Sequence, residues 1–227
     1  AREFHGKARQ AFLGLVCANK FNPLAKPKDL PTPTGYNINL TKPANDPGVD
    51  NPFEGFDPYK DCQPAVPLAK FEGEELKKRR FLLSQSWFLI GEEHFDADPA
   101  VAIEADEKEK VSKEYANYRG PSKEEVFRNR WNEMLNEKKL RKLRLHNYYA
   151  ISAYTRVATQ FKDSKEYNSA LYKRAWTYFK IDRYLKALAE FDDLLVRAKE
   201  KDLQENAVRY VALCAFYQKQ SADPIGW

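Results

Sequence analysis

The sequence predicts an all-α fold, and three observations predict it. From Ser122 to Asp223 the chain carries neither glycine nor proline, so the turn residues that β-hairpins require are missing. Ala, Leu, Lys, Glu and Arg run throughout that span, and these are strong helix formers. Apolar residues make up 43% and charged residues 31%, with a mean hydropathy of −0.73. That balance suits a thin, elongated helical array, which keeps more of its surface wet than a compact globule does.

The elements follow in order. Residues 1–22 hold a short amphipathic helix, with Phe4, Ala8, Ala11, Phe12 and Leu15 on one face at spacings of three and four, although Gly6 and Gly14 weaken it. Residues 23–70 form an irregular, extended arm. Ten of the thirteen prolines lie between Pro23 and Pro67, and each removes a backbone donor and pushes its predecessor out of the helical region. Tyr36, Phe53, Phe56 and Tyr59 are too many aromatics for a purely solvated linker and read as anchors. Residues 71–227 form the helical array, with an insertion at about 96–146. Within it, Ser122 and Glu125 match a capping box at the start of a helix with no evident stop before about Phe161. Val126, Phe127, Trp131, Met134, Leu135, Ala150, Ile151, Tyr154 and Val157 supply its buried stripe, and the charged stretch Glu137–Arg144 between them projects from the body. Polar breaks at Lys162–Ser164 and at Lys201–Asp202 read as inter-helix turns.

An internal repeat carries most of the inference. Ala170, Ala175 and Phe179 recur 37 residues later as Ala207, Ala212 and Phe216. Between the two runs lies Tyr184-x-x-Ala187-x-x-x-Phe191-x-x-Leu194. This order resembles the tetratricopeptide repeat, a helical hairpin whose two helices cross at small residues, here Ala175 and Ala187, flanked by the aromatics Tyr178 and Phe191. A second, split copy has its first helix at 77–91, with Leu83–Ser84 at the small-residue position, Trp87 at the aromatic one and Gly91 at the turn. Its second helix is 147–161. A third first helix lies near 204–219. Asp182 stands where the family favours glycine, and no proline closes the 168–198 repeat. The resemblance implies TPR-like hairpins stacked as an α-solenoid. The run Phe161-Lys162-Asp163-Ser164 leading to Ala170-Leu171-Tyr172 is similar to a turn of the bacterial envelope subgroup, the outer-membrane assembly lipoproteins and Tol-system coordinators, with Lys162 replacing its proline.

Chemistry-bearing motifs are sparse. The sequence contains no P-loop, GxGxxG, GxSxG, HExxH or CxxC pattern. No catalytic residue, metal ligand, cofactor or small-molecule substrate is assigned, and the chain reads as a non-enzyme. The three histidines are His5, His94 and His146, and the run Glu92–Asp98 around His94 reads as a solvated acidic turn rather than a metal site. Cys17 and Cys62 either form a disulfide that clamps the arm or stay unpaired thiols; the sequence leaves both open, and Cys214 stands apart.

The net charge is +5, from 38 Lys and Arg against 33 Asp and Glu. One basic cluster is Lys77–Arg80. The other is Lys138, Lys139, Arg141, Lys142 and Arg144, interleaved with Leu140, Leu143 and Leu145. Such a cluster is either a solvated helix face or a contact for an anionic partner, nucleic acid or anionic lipid. No run reaches the roughly 20 apolar residues of a membrane span. The chain starts at Ala1 and its single methionine is Met134, so it reads as a processed product or fragment. Asn39-Leu40-Thr41 is a glycosylation acceptor only in a secreted eukaryotic protein.

The resemblance implies a protein-binding groove lined by first helices, at Tyr172, Trp176, Phe179 and Lys180 and at Arg209, Leu213, Phe216 and Tyr217. The arm or the N-terminal helix is an alternative occupant of that groove. The expectation is a non-catalytic protein–protein interaction scaffold, a subunit of a larger cell-envelope assembly located in the periplasm, with the cytoplasm as the alternative compartment. The alternative function is a nucleic-acid- or anionic-lipid-binding helical adaptor using 138–146. A co-chaperone that clamps a peptide carboxylate ranks lower, because this groove offers aromatics where Asn, Lys and Arg are needed.

Overall fold

The structure, a computed structural model, describes residues 2–20, 57–120 and 122–222. Among these residues the fold is all-α: seven α-helices, one short 3-10 turn at Leu68–Lys70, and no strand. The helices are α1 (Arg2–Val16), α2 (Gly73–Phe95), α3 (Ala105–Glu114), α4 (Lys123–Gln160), α5 (Tyr167–Lys180), α6 (Tyr184–Arg197) and α7 (Lys201–Ala222). Tyr36, Phe53, Phe56 and the Asn39-Leu40-Thr41 triplet lie outside the described residues, and so does the side chain of His5.

The chain divides into two compact units. One joins Ala1–Asp96 to His146–Trp227, and the other is Ala97–Leu145. In the first unit, α2 pairs with the C-terminal half of α4. Tyr154 is fully buried and packs against Phe88 with ring centroids 5.9 Å apart. A β-carbon at Gly91 would run into the Tyr154 ring, so glycine is what lets the two helices come this close. Gly91 therefore does not mark a turn, as the sequence reading placed it: α2 continues through it to Phe95. The Tyr154 hydroxyl reaches back to the Glu92 carboxylate. Burial first, and that carboxylate second, push the phenol well above its ordinary range.

The buried stripe expected along α4 holds only for its later half. Ala150, Ile151, Tyr154 and Val157 are buried, whereas Val126, Phe127, Trp131, Met134 and Leu135 are half-buried. Ser122 does not cap α4 with its side chain. It sits in the left-handed region (φ 64°), and its carbonyl accepts from the amides of Glu125 and Val126. A reach-back of capping-box type occurs instead at α3, where the Glu104 amide donates to the Glu107 carboxylate (2.8 Å).

The α5–α6 hairpin is short and tight. Ala175 and Ala187 are both fully buried in one core with Leu171, Phe191 and Leu194. Small residues on both helices allow close backbone approach. The turn is a Schellman motif: the Asp182 amide donates to the Phe179 carbonyl (3.1 Å) and the Arg183 amide to the Tyr178 carbonyl (2.9 Å). Asp182 takes the left-handed position (φ 62°) that usually calls for glycine. Its carboxylate accepts the Tyr184 hydroxyl at 2.8 Å, which ties the turn to the start of α6. Helix α7 packs back on α6 and α5 through Ala207, Tyr210, Val211 and Cys214.

The last residues of the arm are fastened at several points. Cys17, just after α1, is disulfide-bonded to Cys62. Asn19 bridges the same segments, donating to the Asp61 carbonyl (2.9 Å) and accepting from the Gln63 amide (2.9 Å). Arg156 of α4 pairs with Asp57 and donates to the Tyr59 carbonyl. Tyr59 is fully buried among Trp87, Tyr149 and His94. It is thus an anchor, and its surface is the chain's own α2 and α4.

His94 is equally buried, which corrects the reading of Glu92–Asp98 as a solvated turn. Its Nε2 lies 3.0 Å from the Tyr59 hydroxyl and its Nδ1 3.0 Å from Nδ1 of His146. One neutral arrangement satisfies all three groups: Tyr59 donates to Nε2, and the His94 Nδ1–H donates to His146. Burial first, then Arg9 and His146, hold the His94 pKa well below its ordinary value.

Two outcomes are expected. Below about pH 6.5 the unfolded chain takes up a proton at His94 that the folded chain refuses. Stability will therefore fall as the pH drops from 7 to 5, and a His94→Gln variant will show a shallower slope in urea titrations over that window. Replacing Cys17 and Cys62 by alanine opens a closure spanning 45 residues, and will lower the unfolding free energy by about 2–5 kcal/mol.

Candidate protein-binding surface

The helix face that carries the first four expected groove residues is held largely by the chain itself. Lys173, Trp176 and Lys180 recur at spacings of three and four on α5 and converge on Phe95, the last residue of α2. The Trp176 ring meets Phe95 edge-on with centroids 5.4 Å apart. The ammonium groups of Lys173 and Lys180 lie 4.5 and 4.0 Å from the Phe95 ring centroid. Lys180 also donates to the Phe95 carbonyl (2.9 Å), and Lys173 pairs with Glu92 at 3.0 Å. Two cations thus sit at a helix C-terminus, where carbonyls lack partners and the dipole favours positive charge. Partial desolvation lowers the Lys180 pKa, with Asp96 opposing that shift. Among the described residues, then, the occupant of this face is the end of α2. The sequence reading had offered the arm or the N-terminal helix instead.

Tyr172 and Phe179 are half-buried in an aromatic cluster that joins all three C-terminal helices. Its hub is Tyr210 of α7, stacked on Phe191 (5.2 Å, 14° between planes) and in contact with Trp176 (5.4 Å) and Phe179 (5.8 Å). Tyr172 meets both Phe191 (5.9 Å) and Tyr210 (6.4 Å). Tyr184 stacks on Tyr217 at 5.5 Å, and Phe179 meets Tyr217 edge-on at 5.7 Å. Tyr210 was absent from the expected groove residues. The signal for it is the stripe Leu203, Ala207, Tyr210, Cys214 and Tyr217, which repeats at spacings of four and three along one helix face.

The other four expected groove residues lie on α7. Leu213 is half-buried and Arg209 is exposed. Phe216 and Tyr217 remain 47% and 38% exposed, so two large rings sit at the water boundary. Large apolar side chains in that position, next to an arginine, are the composition of protein contact surfaces.

In the basic run Lys139, Leu140, Arg141 and Lys142 are exposed, as a solvated helix face would be, and three of the lysines also make contacts within the chain. Lys138 pairs with Glu107 and donates to the Ala102 carbonyl (2.9 Å). Lys139 pairs with Asp98 (2.9 Å), and Lys142 donates to the Ala100 carbonyl (2.9 Å). Three of its cations thereby hold the 98–107 segment on α4 within the Ala97–Leu145 unit. Glu107 is held below the usual carboxylate range, chiefly by its hydrogen bond to Lys138. Arg141 is exposed and Arg144 half-buried. The Lys77–Arg80 cluster is also engaged: Lys77 with Glu74 (2.7 Å), Arg79 with Glu75 (2.9 Å), and Arg80 with Asp163 and with the Phe161 ring (5.5 Å).

Among the described residues no three His, Cys, Asp or Glu side chains are grouped to hold a metal ion. No helix there is long and apolar enough to cross a membrane. Comparison with protein-family models, with curated proteins and with solved structures returned no match to this chain.

The two halves of the expected groove should separate on substitution. Trp176→Ala removes a ring clamped between Phe95 and Tyr210 and will cost about 2–4 kcal/mol of stability. Tyr217→Ala takes away a side chain already partly in water and will cost about 1 kcal/mol. Chemical denaturation of the two variants measures both values.

Proposed function

We propose that this chain is a non-catalytic protein–protein interaction scaffold built from tetratricopeptide-type hairpins, and a subunit of a larger bacterial cell-envelope assembly. The observation that carries the reading is the α5–α6–α7 stack. Its helices approach through the fully buried Ala175 and Ala187, turn at the left-handed Asp182, and leave large rings at the edge of the α7 surface. A stack of this kind has one side for its own core and another for other chains. The 37-residue recurrence of Ala170, Ala175 and Phe179 supports repeat architecture, and the pairing of α2 with the later half of α4 supports a split hairpin with the 97–145 unit inserted.

The Cys17–Cys62 disulfide supports an oxidising compartment, as a periplasmic location requires. The binding surface in this reading is Arg209, Leu213, Phe216 and Tyr217, because Trp176 and Lys180 already grip α2. The adaptor reading for 138–146 has less behind it, since Lys138, Lys139 and Lys142 are engaged with 98–107.

The test is proximity labelling in the source cell with the full-length protein. The wild type is expected to label envelope proteins reproducibly, and an Arg209→Glu/Tyr217→Ala double variant of unchanged abundance is expected to lose most of them. An identical labelled set from both proteins sinks the groove. A set dominated by nucleic-acid-binding proteins sinks the compartment.

A further inference from the structure

Where α1, the end of the arm, α2 and the end of α4 meet, the larger unit holds a cavity of about 210 Å³. Its floor is apolar: Val16 of α1, Leu83 and Trp87 of α2, and Phe161 just past α4, all of them buried. A dry cavity of about 150 Å³ is enough to hold a benzene ring. This one therefore has room for a ring and a short substituent. It is smaller than the roughly 300–1,000 Å³ of sites that take drug-sized ligands.

The rim is fixed before any ligand arrives. Cys62 lines one side, and its disulfide ties that side to the end of α1. Pro64 and Pro67 line the next, each with its φ locked by its own ring. The Lys70 amide donates to the Pro67 carbonyl (3.1 Å), closing the 3-10 turn that presents Leu68 to the cavity. A site already held in shape loses little freedom on binding.

The polar part of the lining is rich in donors. It comprises Arg156, Gln63 and Gln160, and no Asp or Glu is among the described lining residues. Nη2 of Arg156 is committed, to the Asp57 carboxylate and to the Tyr59 carbonyl (2.9 Å). Its Nε and Nη1 make no hydrogen bond among the described residues, and neither do the side-chain amides of Gln63 and Gln160. A guanidinium with unspent N–H groups matches the planar, two-oxygen geometry of a carboxylate. Aromatic floor and donor-rich wall face one small volume. No protein side chain carries both a ring and a carboxylate, so a segment of this chain could answer only one half of the site.

We propose that this cavity binds a small free carboxylic acid with one ring, the ring against Trp87 and Phe161 and the carboxylate toward Arg156 and Gln160. The site is separate from the α7 surface and stands or falls independently of the scaffold reading.

The experiment titrates the purified full chain with phenylacetate at pH 7, where the acid is ionised, and follows the tryptophan indole N–H signals by proton–nitrogen NMR. The chain has four tryptophans, and a Trp87→Phe variant assigns the signal of Trp87. That signal is expected to shift saturably. Phenylacetamide, which keeps the ring and loses the charge, should bind at least tenfold more weakly, and so should acetate, which lacks the ring. Gln160 is exposed, so Gln160→Glu places a negative charge at the rim without disturbing the core, and should weaken phenylacetate at least fivefold. Leu68→Trp fills the cavity and should abolish the shift. Because Arg156 also ties down Asp57 and Tyr59, the charge requirement is read from Gln160→Glu and phenylacetamide rather than from its removal. Circular dichroism checks that each variant is folded.

Absence of a saturable shift in the wild type overturns the proposal. Equal affinity for phenylacetate and phenylacetamide overturns the carboxylate, and unchanged binding to Leu68→Trp overturns the location. Tighter binding of the peptide Ala-Ala-Ala-Phe than of phenylacetate overturns it in favour of a protein C-terminus. Binding that emerges only after excision of 21–56 overturns it in favour of that segment as the occupant.

Discussion

Two close helix crossings set the spacing of the larger unit. At one, Gly91 lies under the ring of Tyr154; at the other, Ala175 and Ala187 share the core between α5 and α6. At such points dispersion contacts run backbone to side chain, and the helices have no room to slide. The surrounding aromatics then have defined gaps to fill. Phe88 packs beside Tyr154, and Phe191 packs beside Tyr172 and Tyr210. A larger residue at either crossing would separate the helices and leave those rings without their partners.

The interior around α2 is unusually polar for its depth. Tyr59, His94 and His146 form a chain of rings and hydrogen bonds, and Ser84 donates to the buried Glu166 carboxylate at 3.0 Å. Arg174 and Glu190 form an ion pair with both side chains mostly covered. These contacts join separate elements: arm to α2, α2 to α4, α2 to the start of α5, and α5 to its hairpin partner α6. Apolar packing tolerates small shifts, whereas a buried donor without its acceptor does not. The polar contacts therefore fix which arrangement the helices adopt, while the apolar ones supply most of the driving force.

The sequence made some of this legible and hid the rest for identifiable reasons. Helix α4 could be read end to end, because no glycine or proline interrupts 122–223 and Phe161 ends its apolar periodicity. The α5–α6 hairpin was legible through Ala175 and Ala187 and the aromatics Tyr178 and Phe191 that flank them. Gly91 was misread because glycine at a turn and glycine at a helix crossing look alike until the partner ring is known. His94 was misread because the nearby Glu92 reaches Tyr154 and Lys173 while the imidazole turns inward. The grip of Lys173, Trp176 and Lys180 on Phe95 was invisible for a similar reason. Their spacing marks one helix face, and only the end of α2 shows what that face holds.

Because Cys17 and Cys62 are joined, the chain between them is a closed covalent ring threaded into the sequence rather than a simple leader. A peptide bond cut anywhere in that ring leaves α1 attached to the body, with both new ends held by the bridge. The N-terminal helix would then be shed only after two chemically unrelated events, hydrolysis of the backbone and reduction of the sulfur pair, in either order. A protease that cuts between Cys17 and Cys62, with no reductant present, would leave the molecule nicked but whole.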